Sequence, residues 1–159
     1  MASPRRNALA VAAVLALAAA LAIVPAALRR VQRPSDFYPT LADARRTADA
    51  GARLPPLLPP SAREIHAETD RATRRTFVRF AYDPADSTAM QAGLRRLPPA
   101  EVERLPVPRA GWSRWWRLAP QTLRGSQGER VHVYEAPPER GGGYLVLDPR
   151  TGTAYFWSR

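Results

Sequence analysis

The chain has 159 residues, no cysteine, 17 prolines and a formal net charge of +10. That length suits one domain with a modest core. The missing cysteine excludes disulfide support, a lipid-modified cysteine anchor and a thiolate nucleophile or metal ligand.

The charge does not identify a nucleic-acid binder. Arg5, Arg6, Arg29, Arg30 and Arg33 flank an apolar segment; the 24 basic residues less these five leave 19, against 14 acidic residues. All of the basic residues are arginine, and no long basic run concentrates them on one face. Nucleic acid is therefore not an expected partner.

Asn7 to Leu28, "NALAVAAVLALAAALAIVPAAL", is uncharged and long enough to cross a bilayer of ~30 Å. Residues 1–30 read as a retained signal anchor, a single transmembrane helix whose partner is the lipid bilayer through residues 7–28. The alternative is a signal peptide cleaved near Ala26, within Val24-Pro25-Ala26. Arg29 and Arg30 follow the run directly and oppose translocation of a cleaved product, which favours the anchor. Residues 31–39 read as a short polar linker, and residues 40–159 as one extracytoplasmic α+β domain.

Within that domain, "TLADARRTADAGA" predicts a helix with Thr40 as N-cap and Gly51 at its end. "RLPPLLPPSAREI", Arg53 to Ile65, matches a polyproline II docking pattern through Arg53, Pro56 and Pro59. Its place between a capped helix and a strand instead predicts a structural strap anchored by Leu54, Leu57 and Leu58. Two strands follow. Ile65, Ala67 and Thr69 alternate with Glu64, His66, Glu68 and Asp70, then Val78, Phe80 and Tyr82 alternate with Phe77, Arg79 and Ala81. Arg75 and Arg79 are expected opposite the acidic face of the first strand.

Asp83 and Pro84 open a further helix that Gly93 stops. One helical turn is predicted at Ala100 to Arg104. The last third reads as a meander: "ERVHVYEA", the loop "PPERGGG", "YLVLD", the turn "PRTG" and "TAYFWS". The expected fold class is α+β, with two or three helices packed on an antiparallel sheet of about five strands.

Two constellations could carry function. Glu64, His66, Glu68 and Asp70 share one face if the strand is regular. They could then form an oxygen-rich metal patch or an acid–base set, but a solvated strand face balanced by arginines is the simpler reading. Trp112, Trp115 and Trp116 have the i, i+3, i+4 spacing of one helical side, with Arg114 and Arg117 interleaved. They are expected as a core or lid, as a groove for a peptide or glycan, or as side chains in a membrane headgroup layer. His132 could join His66 only if their strands are neighbours. The serines lack a nucleophile-elbow pattern, and Gly141 to Gly143 precede neither a helix nor a phosphate-binding lysine. No catalytic residue, metal site or cofactor is assigned.

The run "LPPLLPPSAREIHAETDRATRRTFVRFAYDP", the pair Trp115-Trp116 and the closing "YLVLDPRTGTAYFW" together resemble a family of bacterial proteins carrying a YbbD-type head domain. The resemblance covers most of Leu54 to Trp157 and implies a secreted or membrane-anchored protein. The family's turn is typically Asp-x-x-Thr-Asn, whereas here it is Asp70-Arg71-Ala72-Thr73-Arg74. No activity accompanies the resemblance. The expected function is a membrane-anchored envelope protein, a non-catalytic interaction or structural module. It would lie in the bacterial inner membrane with its domain in the periplasm or outside the cell, the secreted form being the alternative. Another envelope protein is a second candidate partner. The alternatives are a peptide- or glycan-binding domain using the tryptophans, and a small hydrolase or metal-binding protein using Glu64, His66 and Glu68.

Overall fold

Antiparallel strand pairing organises the structure, a computed structural model that describes residues 35–47, 54–70, 72–108, 113–123 and 131–159. The chain divides into two units, Met1–Pro34 and Ser35–Arg159, and the architecture that follows is that of the second. Its strands are β1 (Ser35–Thr40), β2 (Arg63–Asp70), β3 (Arg75–Ala81), β4 (Arg95–Arg96), β5 (His132–Ala136), β6 (Gly143–Asp148) and β7 (Thr153–Ser158). They form one sheet in the order β1-β2-β3-β7-β6-β5-β4, and every neighbouring pair is antiparallel. The helices are short: α1 (Leu41–Arg46), α2 (Ser87–Gln91) and α3 (Pro99–Val102).

The fold is thus α+β, but the sheet has seven strands rather than about five. One added strand is β1. Ser35–Pro39 was expected as linker, yet it pairs with β2 from Ser35↔Glu68 to Tyr38↔Ile65 and forms a sheet edge. The other is β4, only two residues long, too short for alternation to reveal it. The apolar segment at residues 7–28 and Gly51 lie outside the described residues. Among the described residues no helix is long and apolar enough to cross a membrane.

Local chemistry accounts for several boundaries. The Asp43 amide donates to Thr40 Oγ1 at 3.2 Å and the Thr40 amide donates to Asp43 Oδ2 at 3.1 Å, a reciprocal cap that starts α1. Between β2 and β3, the Asp70 carboxylate accepts from the amides of Ala72 and Thr73 at 3.0 and 3.4 Å. This turns the chain and places Arg74 at φ +56°. In β2 the register steps from Arg63↔Ala81 to His66↔Arg79, so three steps on β2 oppose two on β3. That is a bulge, and Glu64 within it has φ +50°.

Both faces of the sheet are covered. On one, Ile65, Ala67, Val78, Phe80, Leu145 and Phe156 pack under Leu41, Leu57, Leu58, Ala62 and Met90. On the other, Val133, Val146 and Trp157 pack under Leu97, Val102, Leu105, Trp116, Leu118 and Leu123. The proline-rich segment belongs to the first cover. Leu57, Leu58 and Pro59 are buried while Pro56 and Pro60 are exposed. The Leu41 amide donates to the Ala62 carbonyl at 3.0 Å, which fixes the end of the strap against the start of α1.

Replacing Leu57 or Leu58 with alanine is expected to lower stability by about 2–5 kcal/mol, because each substitution opens a cavity under the strap. Pro56→Ala should change it by about 1 kcal/mol or less, since only unfolded-chain entropy is altered. Equilibrium urea denaturation of the full chain in detergent checks both; equal effects at positions 56 and 57 would be incompatible with a buried strap.

Candidate functional site

The alternation of β2 sends Ile65 and Ala67 to the strap side and His66 and Glu68 to the tryptophan side. Edge strand β1 sets Phe37 opposite His66 and Ser35 opposite Glu68. Over these residues lies the segment 113–118, drawn in by one turn in which the Trp116 amide donates to the Ser113 carbonyl at 3.1 Å. Trp115 stacks on His66, with ring centroids 5.4 Å apart and planes 14° from parallel. The Phe37 ring approaches the His66 ring itself at 4.8 Å, tilted by 45°. The Trp115 indole N–H donates to Ser35 Oγ at 3.2 Å, and the Ser113 hydroxyl donates to a Glu68 carboxylate oxygen. Arg79 lies opposite His66 on β3, and its buried Nε has no hydrogen-bond partner among the described residues.

Two separate expectations from the sequence therefore meet in one place, each in altered form. The four-residue polar face of β2 is not a set. Glu64 sits exposed in the bulge, Glu68 is 6% exposed and engaged by Ser113, and Asp70 is buried in its turn. Asp70 opposes Arg75 and His66 opposes Arg79, while Glu68 opposes Phe77 rather than an arginine. Among the described residues no group of three histidine or acidic side chains could hold a metal ion.

The tryptophans also separate. Trp112 lies outside the described residues. Trp116 is 6% exposed and meets Phe77, Tyr155, Trp157 and Trp115 edge-on at 5.7, 5.4, 6.3 and 5.9 Å. Its indole N–H donates to the Pro108 carbonyl at 3.2 Å, so this tryptophan is core. Trp115 is half-buried and Arg114 is exposed. His132 stands on β5, separated from β2 by three strands in the sheet order, and does not meet His66. Gly141 and Gly142 end the β5–β6 connection and Gly143 begins β6. A Cβ on Gly143 would lie 2.1 Å from the Trp157 carbonyl oxygen, so this glycine is required by close strand approach.

Phe37, Ser35, Ser113 and Arg79 were not legible as site residues. One signal was available. "YLVLD", "TAYFWS" and "TFVRFAY" carry large apolar residues at both parities, as expected of strands covered on both faces rather than one. A sheet of that kind needs a second cover, and the tryptophan segment supplies it.

Comparison of the chain with protein-family profiles, curated proteins and solved structures finds no match.

Burial, reinforced by Arg79, holds His66 below the ordinary histidine value, and nearby Glu64 opposes the shift. Burial and Arg96 lower His132 in the same way. A histidine pKa depressed on folding means that the unfolded chain binds more protons, so stability is full above about pH 6.5 and declines as pH falls through the folded values. Denaturation midpoints should therefore drop between pH 7.5 and 5.5, and His66→Gln combined with His132→Gln should flatten the drop. Asp43 and Glu101 have lowered pKa values, so the stability they contribute is present throughout that window and is lost only at lower pH, below the ordinary carboxylate range. Separately, Trp116→Ala should destabilise the domain by about 3–5 kcal/mol. Trp115→Ala should do so far less, and equal losses in thermal unfolding would place both rings in the core.

Proposed function

We propose that this chain is a single-pass envelope protein, held in the bacterial inner membrane by residues 7–28, with its α+β domain outside the cytoplasm acting as a non-catalytic interaction module. The observation that carries the reading is the rim formed by Phe37, His66 and Trp115. It presents an exposed aromatic ring at the sheet edge beside rings that are fixed by stacking and hydrogen bonding. A preorganised aromatic surface of this kind suits contact better than chemistry. The resemblance to proteins with a YbbD-type head domain belongs to the same reading, as an expectation of envelope location rather than of activity.

A hydrolytic use of Glu64, His66 and Glu68 has less support. Glu68 is committed to Ser113, Asp70 to a turn, and three strands separate His132 from His66. The peptide- or glycan-binding alternative uses the same rim through Trp115 and differs in the identity of the ligand. The reading requires no cofactor.

Alkaline phosphatase fused after Arg159 should be active in cells, and an inactive fusion would place the C-terminus in the cytoplasm. A photoreactive benzoylphenylalanine at position 37 should form ultraviolet-induced adducts in native membranes, whereas the same residue at position 88, on α2, should not. Lack of adducts at position 37 would remove the rim as a contact surface.

A further inference from the structure

We infer that the Phe37–Trp115 rim seats in the lipid headgroup layer of the membrane that carries residues 7–28, so that the domain contacts the bilayer at a second place. The inference rests on the anchor reading above and names the partner of its contact surface.

Phe37 is, among the described residues, the one large hydrophobic side chain that is exposed, at 55%. It lies on an edge strand, where an exposed apolar ring is a liability unless something covers it. Its place in the chain limits what can reach it. Nine residue steps separate Leu28 from Phe37, and nine steps span at most about 32 Å. The ring is thus tethered within reach of the bilayer surface.

The chemistry of the rim fits that layer. Tryptophan and arginine concentrate at the membrane–water interface, where an indole buries its apolar body and keeps its N–H bonded. Trp115 holds its N–H on Ser35 at 3.2 Å. Exposed Arg114 and Arg117 flank it and can meet phosphate groups while their stems lie along apolar surface. Glu64 is also exposed and Asp36 stands beside Phe37, so apolar insertion rather than net charge dominates the contact.

Other occupants fit less well. A sugar needs a free aromatic face, yet Trp115 gives one face to His66 and meets Trp116 edge-on at 5.9 Å, which leaves Phe37 alone. A peptide adding to the β1 edge needs a continuous row of backbone donors, and Pro39 interrupts it.

Because the chain has no cysteine, Phe37→Cys and Thr88→Cys each introduce a single labelling site. The full-length variants, carrying a nitroxide, are reconstituted into vesicles of phosphatidylethanolamine and phosphatidylglycerol. The ratio of collision with oxygen to collision with a water-soluble nickel chelate should be severalfold higher at position 37 than at position 88. It should change little between low and high salt. Equal ratios in protein that co-floats with the vesicles would overturn the rim contact and leave the anchor standing. Protein that fails to co-float would overturn the anchor and the rim contact with it. Shielding at position 37 in native membranes but not in protein-free vesicles would assign the rim to a protein partner and overturn the lipid assignment.

Discussion

The pairing of β3 with β7 holds two halves of one sheet together. β1, β2 and β3 form a meander in chain order, and β5, β6 and β7 form another that runs back from the far edge at β4. The two meet only where Phe77 to Ala81 face Trp157 to Thr153. Either half alone would be a small sheet with an open hydrogen-bonding edge. Joined, they put Val78, Phe80, Ala154 and Phe156 at the centre of one face, with Trp157 and partly buried Phe77 and Tyr155 on the other. The core is therefore built around this seam, and each cover packs on both sides of it.

The two covers differ in kind. The strap side is a leucine layer in which prolines stiffen an otherwise irregular crossing, and the side chains it lays on the sheet are apolar. The tryptophan side is mixed. Trp116 fills the centre, and towards the β1 edge the layer becomes polar, where Glu68, His66 and Arg79 lie under Ser113 and Trp115. A carboxylate taken out of water must keep hydrogen bonds, and the Ser113 hydroxyl supplies one to Glu68. That face therefore grades from a dry centre to a polar rim on its β1 side.

What the sequence revealed follows from how local each determinant is. The Thr40–Asp43 cap, the strands β2, β3, β6 and β7, and the helical turn at α3 rest on neighbouring residues, and they were legible as patterns. β1 was not, because Ser-Asp-Phe-Tyr-Pro resembles linker composition and becomes a strand only through pairing with β2. The bulge at Glu64 was equally invisible; without it period two would keep Glu64 in line with His66. The polar alternation of β2 was read as facing water because nothing local announces that Trp115 will lie on His66. Arg74 has φ +56°, a conformation that asparagine adopts more readily than arginine.

The seam also sets a clock on the birth of the domain. Phe77 and Trp157 are partners 80 positions apart, so the central pair cannot close until the chain beyond β6 has been made. Synthesis at ~5–20 residues per second imposes a delay of about 4–16 s between the two strands. Throughout that interval β3 offers an unpaired hydrogen-bonding edge, at the stage when an emerging chain is most open to chaperones and proteases. Late closure of this kind makes folding slow for the size of the domain. It also means that a chain cut anywhere before Thr153 lacks a central strand rather than a dispensable edge.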